Sequence, residues 1–134
     1  MAAPLLGAGL AVTPLWAQDA GIPLSTCLHE AQGVTVEMLD CLDAEHVRLD
    51  DILNQVWSEA MSELEDDMAD ALQSSQRDWL AYRDSTCNTE AAFQGGGSFS
   101  GVAVLDCRVR LVGERIDWLK GLLDLPSSTS RTVQ

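Results

Sequence analysis

Basic residues are scarce in this 134-residue chain: eight Lys and Arg stand against 21 Asp and Glu, a formal net charge of −13. Between Leu28 and Ser74 there is one cation, Arg48, among 13 acidic residues, a net −12. That scarcity argues against a nucleic-acid binder, because phosphate contacts need Lys and Arg. Histidine is nearly absent as well. His29 and His46 lie outside any His-Glu-x-x-His or Cys-x-x-Cys setting, and no Ser, His and Asp set points to nucleophilic catalysis. There is no glycine-rich phosphate loop at a strand–helix junction. Gly95-Gly96-Gly97 follows a helical stretch and reads as turn chemistry. The acidic run Glu63, Glu65, Asp66, Asp67 and Asp70 lacks the alternating Asp-x-Asp-x-Asp-Gly loop of a calcium site. No catalytic residue, metal or cofactor is expected, and the chain does not read as an enzyme. Strand-period alternation and internal repeats are also missing.

What is present begins with an uncharged N-terminus, Met1–Ala17. Leu5-Leu6-Gly7-Ala8-Gly9-Leu10-Ala11-Val12 reads as the apolar core of a secretory signal, with small Ala17 just before a cleavage point at Gln18. The run is too short to span a membrane. No Cys follows it, so no stable membrane anchor is expected. An exported chain with four cysteines, Cys27, Cys41, Cys87 and Cys107, reads as two disulfides. Three pairings are possible. Cys27–Cys41 with Cys87–Cys107 is favoured, since each pair is local and brackets a turn, and each bridge is worth roughly 3 kcal/mol by loop closure. A bond between Cys27 and His29 through a metal is the weaker reading in that compartment.

Helical periodicity organises the rest. Thr35 is expected to cap a first long helix over 36–62, with Leu39, Leu42, Leu49, Ile52, Leu53, Val56, Trp57 and Ala60 on its apolar face. Ser62 and Glu65 fit a capping box for a second helix over 63–92. A third is expected over 101–123, burying Val104, Leu105, Val109, Val112, Ile116, Leu119 and Leu123. The segment 18–33, with Gly21, Pro23 and Gly33, reads as irregular. The expected fold is all-α: a three-helix antiparallel bundle with two disulfides. The expected layout is a signal peptide at 1–17, an extension at 18–26, the helical domain at 27–123 and a flexible tail at 124–134.

The most specific stretch runs from Gln76 to Cys87. Leu72, Gln76, Trp79, Arg83 and Cys87 fall on one helical stripe. That stripe carries an amide, a guanidinium and a thiol among apolar groups, and burying such groups unpaired costs on the order of 1–3 kcal/mol. Arg83 is expected to tie helices together from inside, through Glu114 or Asp40. On that reading Arg83→Lys harms folding, because Lys lacks the guanidinium fork.

Four pieces together resemble the lysozyme inhibitor LprI N-terminal domain-like family of exported bacterial proteins. They are Cys27 and Cys41 framing Thr35-Val36-Glu37-Met38; Asp51-Ile52-Leu53-Asn54-Gln55-Val56-Trp57, similar to the family's Asp-x-x-Leu-Asn-x-x-Tyr; the Gln76–Cys87 stretch; and Gly96-Gly97-Ser98 followed by Cys107 and Arg115. The resemblance covers about Cys27 to Leu122. It marks Asn54, Gln76, Trp79, Arg83, Asp84 and Arg115 as family-motif residues with structural roles. It implies a small helical, disulfide-bonded envelope protein, periplasmic or secreted. Trp57 stands where the family pattern has Tyr, and no lipoprotein Cys is present.

The expected function is a binding protein that inhibits a lysozyme-type muramidase by occlusion. Lysozymes are typically basic, so the anionic half supplies complementary charge and fast encounter. Glu63, Glu65, Asp66, Asp67 and Asp70 are the expected partner-binding residues. The rival expectation is a structural or stress-related envelope protein with another partner.

Overall fold

A computed structural model describes residues 21–124. The expected signal peptide at 1–17 and the tail beyond Asp124 lie outside the described residues. The described chain forms four helices in the order α1 (Leu24–Ala31), α2 (Thr35–Glu63), α3 (Asp66–Phe93) and α4 (Phe99–Leu123). The fold is all-α, as the periodicity implies, but it has one helix more than expected.

The extra helix is α1, within the segment read as irregular. Pro23 precedes it with φ −52°, an angle its ring sets in advance, and its carbonyl accepts from the backbone N–H groups of Thr26 and Cys27. Leu24 and Leu28, one turn apart, then pack beside Leu42 and Val102. A single apolar pair in an eight-residue helix is too little for a periodic signal. Gln32 and Gly33, both at positive φ, end the helix and turn the chain.

The long helices start slightly off their expected positions. Thr35 is the first residue of α2 rather than its cap, since the Val34 carbonyl already accepts from the N–H of Met38. The capping box at Ser62 does not form. The Ser62 hydroxyl instead donates to the Glu59 carbonyl at 2.7 Å, inside α2. The break falls at Leu64 and Glu65, both extended. Leu64 turns its side chain onto the core there, and that anchor fixes the bend. Asp66 and Asp67 occupy the first turn of α3, where the helix dipole favours negative charge.

Helix α4 is the centre of the packing, lying against both α2 and α3, while α1 lies on α2. α2 and α4 run parallel: a Cβ at Gly101 would sit 3.6 Å from Leu39 Cδ2 near their starts, and Ala60 and Leu119 share a cluster near their ends. α3 runs opposite to both. The largest buried cluster, nearest the bend, joins Leu53, Val56 and Ala60 of α2, Leu72 of α3, and Val112, Ile116 and Leu119 of α4. Beyond it α2 and α3 part. α2 continues with α1 and α4 around Leu42, Val102 and Val109, whereas α3 continues with α4 around Cys87, Cys107 and Leu111. Of the expected core, Leu42, Leu53, Val56, Ala60, Val109, Val112, Ile116 and Leu119 are buried, and Leu39, Leu49, Ile52, Trp57, Val104, Leu105 and Leu123 are half-buried.

Both local disulfides are formed. Cys27–Cys41 joins α1 to α2 with Cα atoms 5.8 Å apart. Cys87–Cys107 joins α3 to α4 across the glycine turn with Cα atoms 5.4 Å apart. Neither Cys27 nor any other described cysteine is left free to ligate a metal with His29.

Candidate functional site

The Gln76–Cys87 stripe faces α4, whose arginines are Arg108, Arg110 and Arg115. Arg115 is the most buried of these, 8% exposed, and the one buried charged residue described. Its Nε donates to Gln76 Oε1 at 2.9 Å and its Nη2 to Ser75 Oγ at 3.1 Å. Its guanidinium carbon lies 4.0 Å from the centre of the Trp118 ring and 5.5 Å from that of Trp79. These partners are neutral, so burial acts unopposed and pushes the Arg115 pKa down from its ordinary value. Arg115 stays a cation at physiological pH because its ordinary value is so high.

The interhelical tie expected of Arg83 therefore belongs to Arg115. Arg83 donates through Nε and Nη2 to Oδ1 of the adjacent Asp84, at 3.0 and 2.9 Å, and lies over Trp79 at 5.4 Å. It meets neither Glu114 nor Asp40 in any described bond. Glu114 lies 3.7 Å from Arg110 instead, one turn away on the same helix. The signal that singles out Arg115 was in the sequence: it falls on the face that also carries Leu111 and Leu119, one turn to either side. Arg83→Lys is now expected to cost less than about 1 kcal/mol, because it loosens a pair whose carboxylate is half-exposed. Urea unfolding of that variant measures the difference.

Two further pairs bridge the same seam. Arg108 Nη2 lies 3.7 Å from Asp84 Oδ1. Arg110 Nη2 donates to both Glu90 carboxylate oxygens at 2.9 and 3.0 Å, and that bond raises the Arg110 pKa. Arg108, Arg110 and Arg115 of α4 are thus engaged by α3. The acidic residues at the bend face outward: Glu63, Glu65, Asp66, Asp67 and Asp70 are all exposed. Among the described residues no group of three or more His, Cys, Asp or Glu side chains is placed to hold a metal ion. Asn54 is exposed on α2, and Asp84 serves both Arg83 and Arg108. His29 is exposed in the last turn of α1, and His46 Nε2 is buried with no partner.

Residues 27–119 match the family model described as lysozyme inhibitor LprI. The chain belongs to the LprI family. The LprI match opens on Cys27 and closes on Leu119, so it takes in both disulfides, Gln76, Trp79 and Arg115, and the core around α4. By its description the family is one of inhibitors rather than enzymes. No curated protein and no solved structure matches the chain.

Sequence reasoning overlooked two features. Ser75 shares Arg115 with Gln76, a role that only the register of α3 against α4 reveals. Phe93 and Phe99, the only phenylalanines, flank the glycine turn and both are exposed. Their place on either side of Gly95-Gly96-Gly97 was the available sign.

Proposed function

We propose that this protein is an exported inhibitor of lysozyme-type muramidases, acting by electrostatically steered occlusion. Membership of the LprI family carries the reading. The charge layout supports it: the arginines of α3 and α4 engage Asp84, Glu90 and Glu114, while the stretch Leu28–Ser74 retains a net −12 with one cation. A basic enzyme is drawn to such a surface at long range, and Glu63, Glu65, Asp66, Asp67 and Asp70 contribute to that pull. Two disulfides suit an oxidising compartment outside the cytosol. No helix of the described residues is long and apolar enough to cross a membrane.

The test is a cell-wall lysis assay with purified oxidised protein against several muramidase types at low salt. Inhibition at micromolar protein that weakens as salt rises is the expected result, since exposed charges are screened. No inhibition of any type would overturn the reading in favour of a structural or stress-related envelope protein. A pull-down from envelope extract would then seek its partner.

A further inference from the structure

The longest segment without charge among the described residues forms one end of the molecule. Between Glu90 and Asp106 no Asp, Glu, Lys or Arg occurs, and that stretch holds the α3–α4 turn. Phe93 is 88% exposed on one side of the turn and Phe99 48% on the other. Gly95, Gly96 and Gly97 between them have φ of 92°, 71° and 79°, angles that suit glycine and few other residues. The α1–α2 turn emerges at the same end, because α2 starts alongside α4 at Leu39 and Gly101. It adds exposed Val34 and Val36, and exposed Glu30, Glu37 and Asp40 flank it along the chain. Each disulfide closes one of these two turns. The acidic bend is at the far end of α3, whose 28 residues span about 42 Å.

We propose that this doubly stapled end is the docking surface for the muramidase, and that the uncharged Phe93–Phe99 turn enters its substrate cleft. The inference rests on the inhibitor reading and deepens it by naming the contact. Charge complementarity carries it. A glycoside-hydrolase cleft generally holds a pair of carboxyl groups, so an acidic segment is attracted by a basic rim and repelled by the cleft floor. The uncharged turn meets no such repulsion, while Glu30, Glu37 and Asp40 are placed to face the rim. Exposed aromatic side chains favour the centre of an interface, and a turn braced by disulfides has little freedom left to lose on binding. The bend then acts at a distance, on the association rate.

Three proteins test this against a basic muramidase: the parent, a Phe93→Ser, Phe99→Ser variant, and a bend variant with Glu63 and Glu65 changed to Gln and Asp66, Asp67 and Asp70 to Asn. Both phenylalanines are exposed, so the unfolding midpoint of the first variant should match the parent's. That variant is expected to dissociate faster and inhibit about tenfold less, or worse. The bend variant is expected to associate more slowly at low salt only. Inhibition by the phenylalanine variant equal to a working parent's overturns the docking surface and leaves the inhibitor reading standing. A parent that inhibits nothing overturns both. Ser98→Glu separates cleft from rim: it should weaken inhibition well beyond Ser98→Gln, and equal effects overturn insertion.

Discussion

Replacing both Cys87 and Cys107 by Ala is expected to lower the unfolding free energy by about 3–5 kcal/mol, and replacing Cys27 and Cys41 by less. The chain-entropy term does not separate the two. Separations of 20 and 14 residues enter as logarithms, and each bridge comes to about 3 kcal/mol. What separates them is the packing left behind. Cys87 and Cys107 are 0% and 1% exposed and form a cluster with Leu111, against which Trp79 packs. Beyond the large cluster, α3 has no α2 to lean on. Its remaining polar ties to α4 there are Arg110 with Glu90 and Arg108 with Asp84, surface pairs that contribute little, and its one other buried side chain there is the small Ala91. Loss of the bridge should free the last turns of α3. Loss of Cys27–Cys41 releases only α1, which Leu24 and Leu28 still hold to Leu42 and Val102. Thermal melts should show a drop of about 10–20 °C for the Cys87 and Cys107 pair. Hydrogen exchange should find the Cys27 and Cys41 effect confined to α1. Equal melting losses would contradict this division.

The same contrast explains what the sequence could announce about the fold. Long runs with one apolar residue per turn are hard to misread, and α2, α3 and α4 lie within a few residues of their expected bounds. Local pairing of the cysteines followed from their bracketing of turns. The capping box at Ser62 misled because a side chain that can cap the next helix can equally bond back to its own, as Ser62 does to Glu59. The capping residue then became Glu65, since Leu64 had apolar surface to bury. α1 was invisible for a different reason. Its one buried residue is Ala31, and its two leucines gain a partner surface only once Leu42 and Val102 are in place.

The misassigned arginine is a matter of register. Gln76, Trp79 and Arg83 were rightly placed on a face toward a neighbour, but periodicity along α3 says nothing about which α4 residue stands opposite each. Arg83 lies beside its own Asp84, so a nearby carboxylate competes with any distant one at almost no loop cost. Gln76 offered a neutral acceptor and took the cation that arrived, Arg115. The exposed phenylalanine turn was a blind spot of another kind. A sequence flags apolar residues as core, and only burial shows that Phe93 and Phe99 are not.

Arg115→Ala is expected to cost about 2–4 kcal/mol. Hydrogen bonds from a charged donor contribute about 1.5–3 kcal/mol, and stacking of a guanidinium on tryptophan about 0.5–2 kcal/mol. Against these stands the desolvation of a cation whose described partners are neutral. That offset makes the choice of substitution informative. Arg115→Met keeps an apolar stem between the Trp79 and Trp118 rings and removes the desolvation, leaving Gln76, itself only half-buried, to find water. It should be the mildest change. Arg115→Lys keeps the charge, in a more strongly hydrated head that cannot serve Gln76 and Ser75 while stacking, and should cost about 2 kcal/mol. Urea unfolding orders the three variants, and tryptophan fluorescence reports whether the two rings have moved. A double-mutant cycle with Gln76→Ala should return a coupling of about 1–2 kcal/mol. If Arg115→Met proved as costly as Arg115→Ala while Arg115→Lys were silent, the charge alone, and not the fork and its stem, would be what holds α3 to α4.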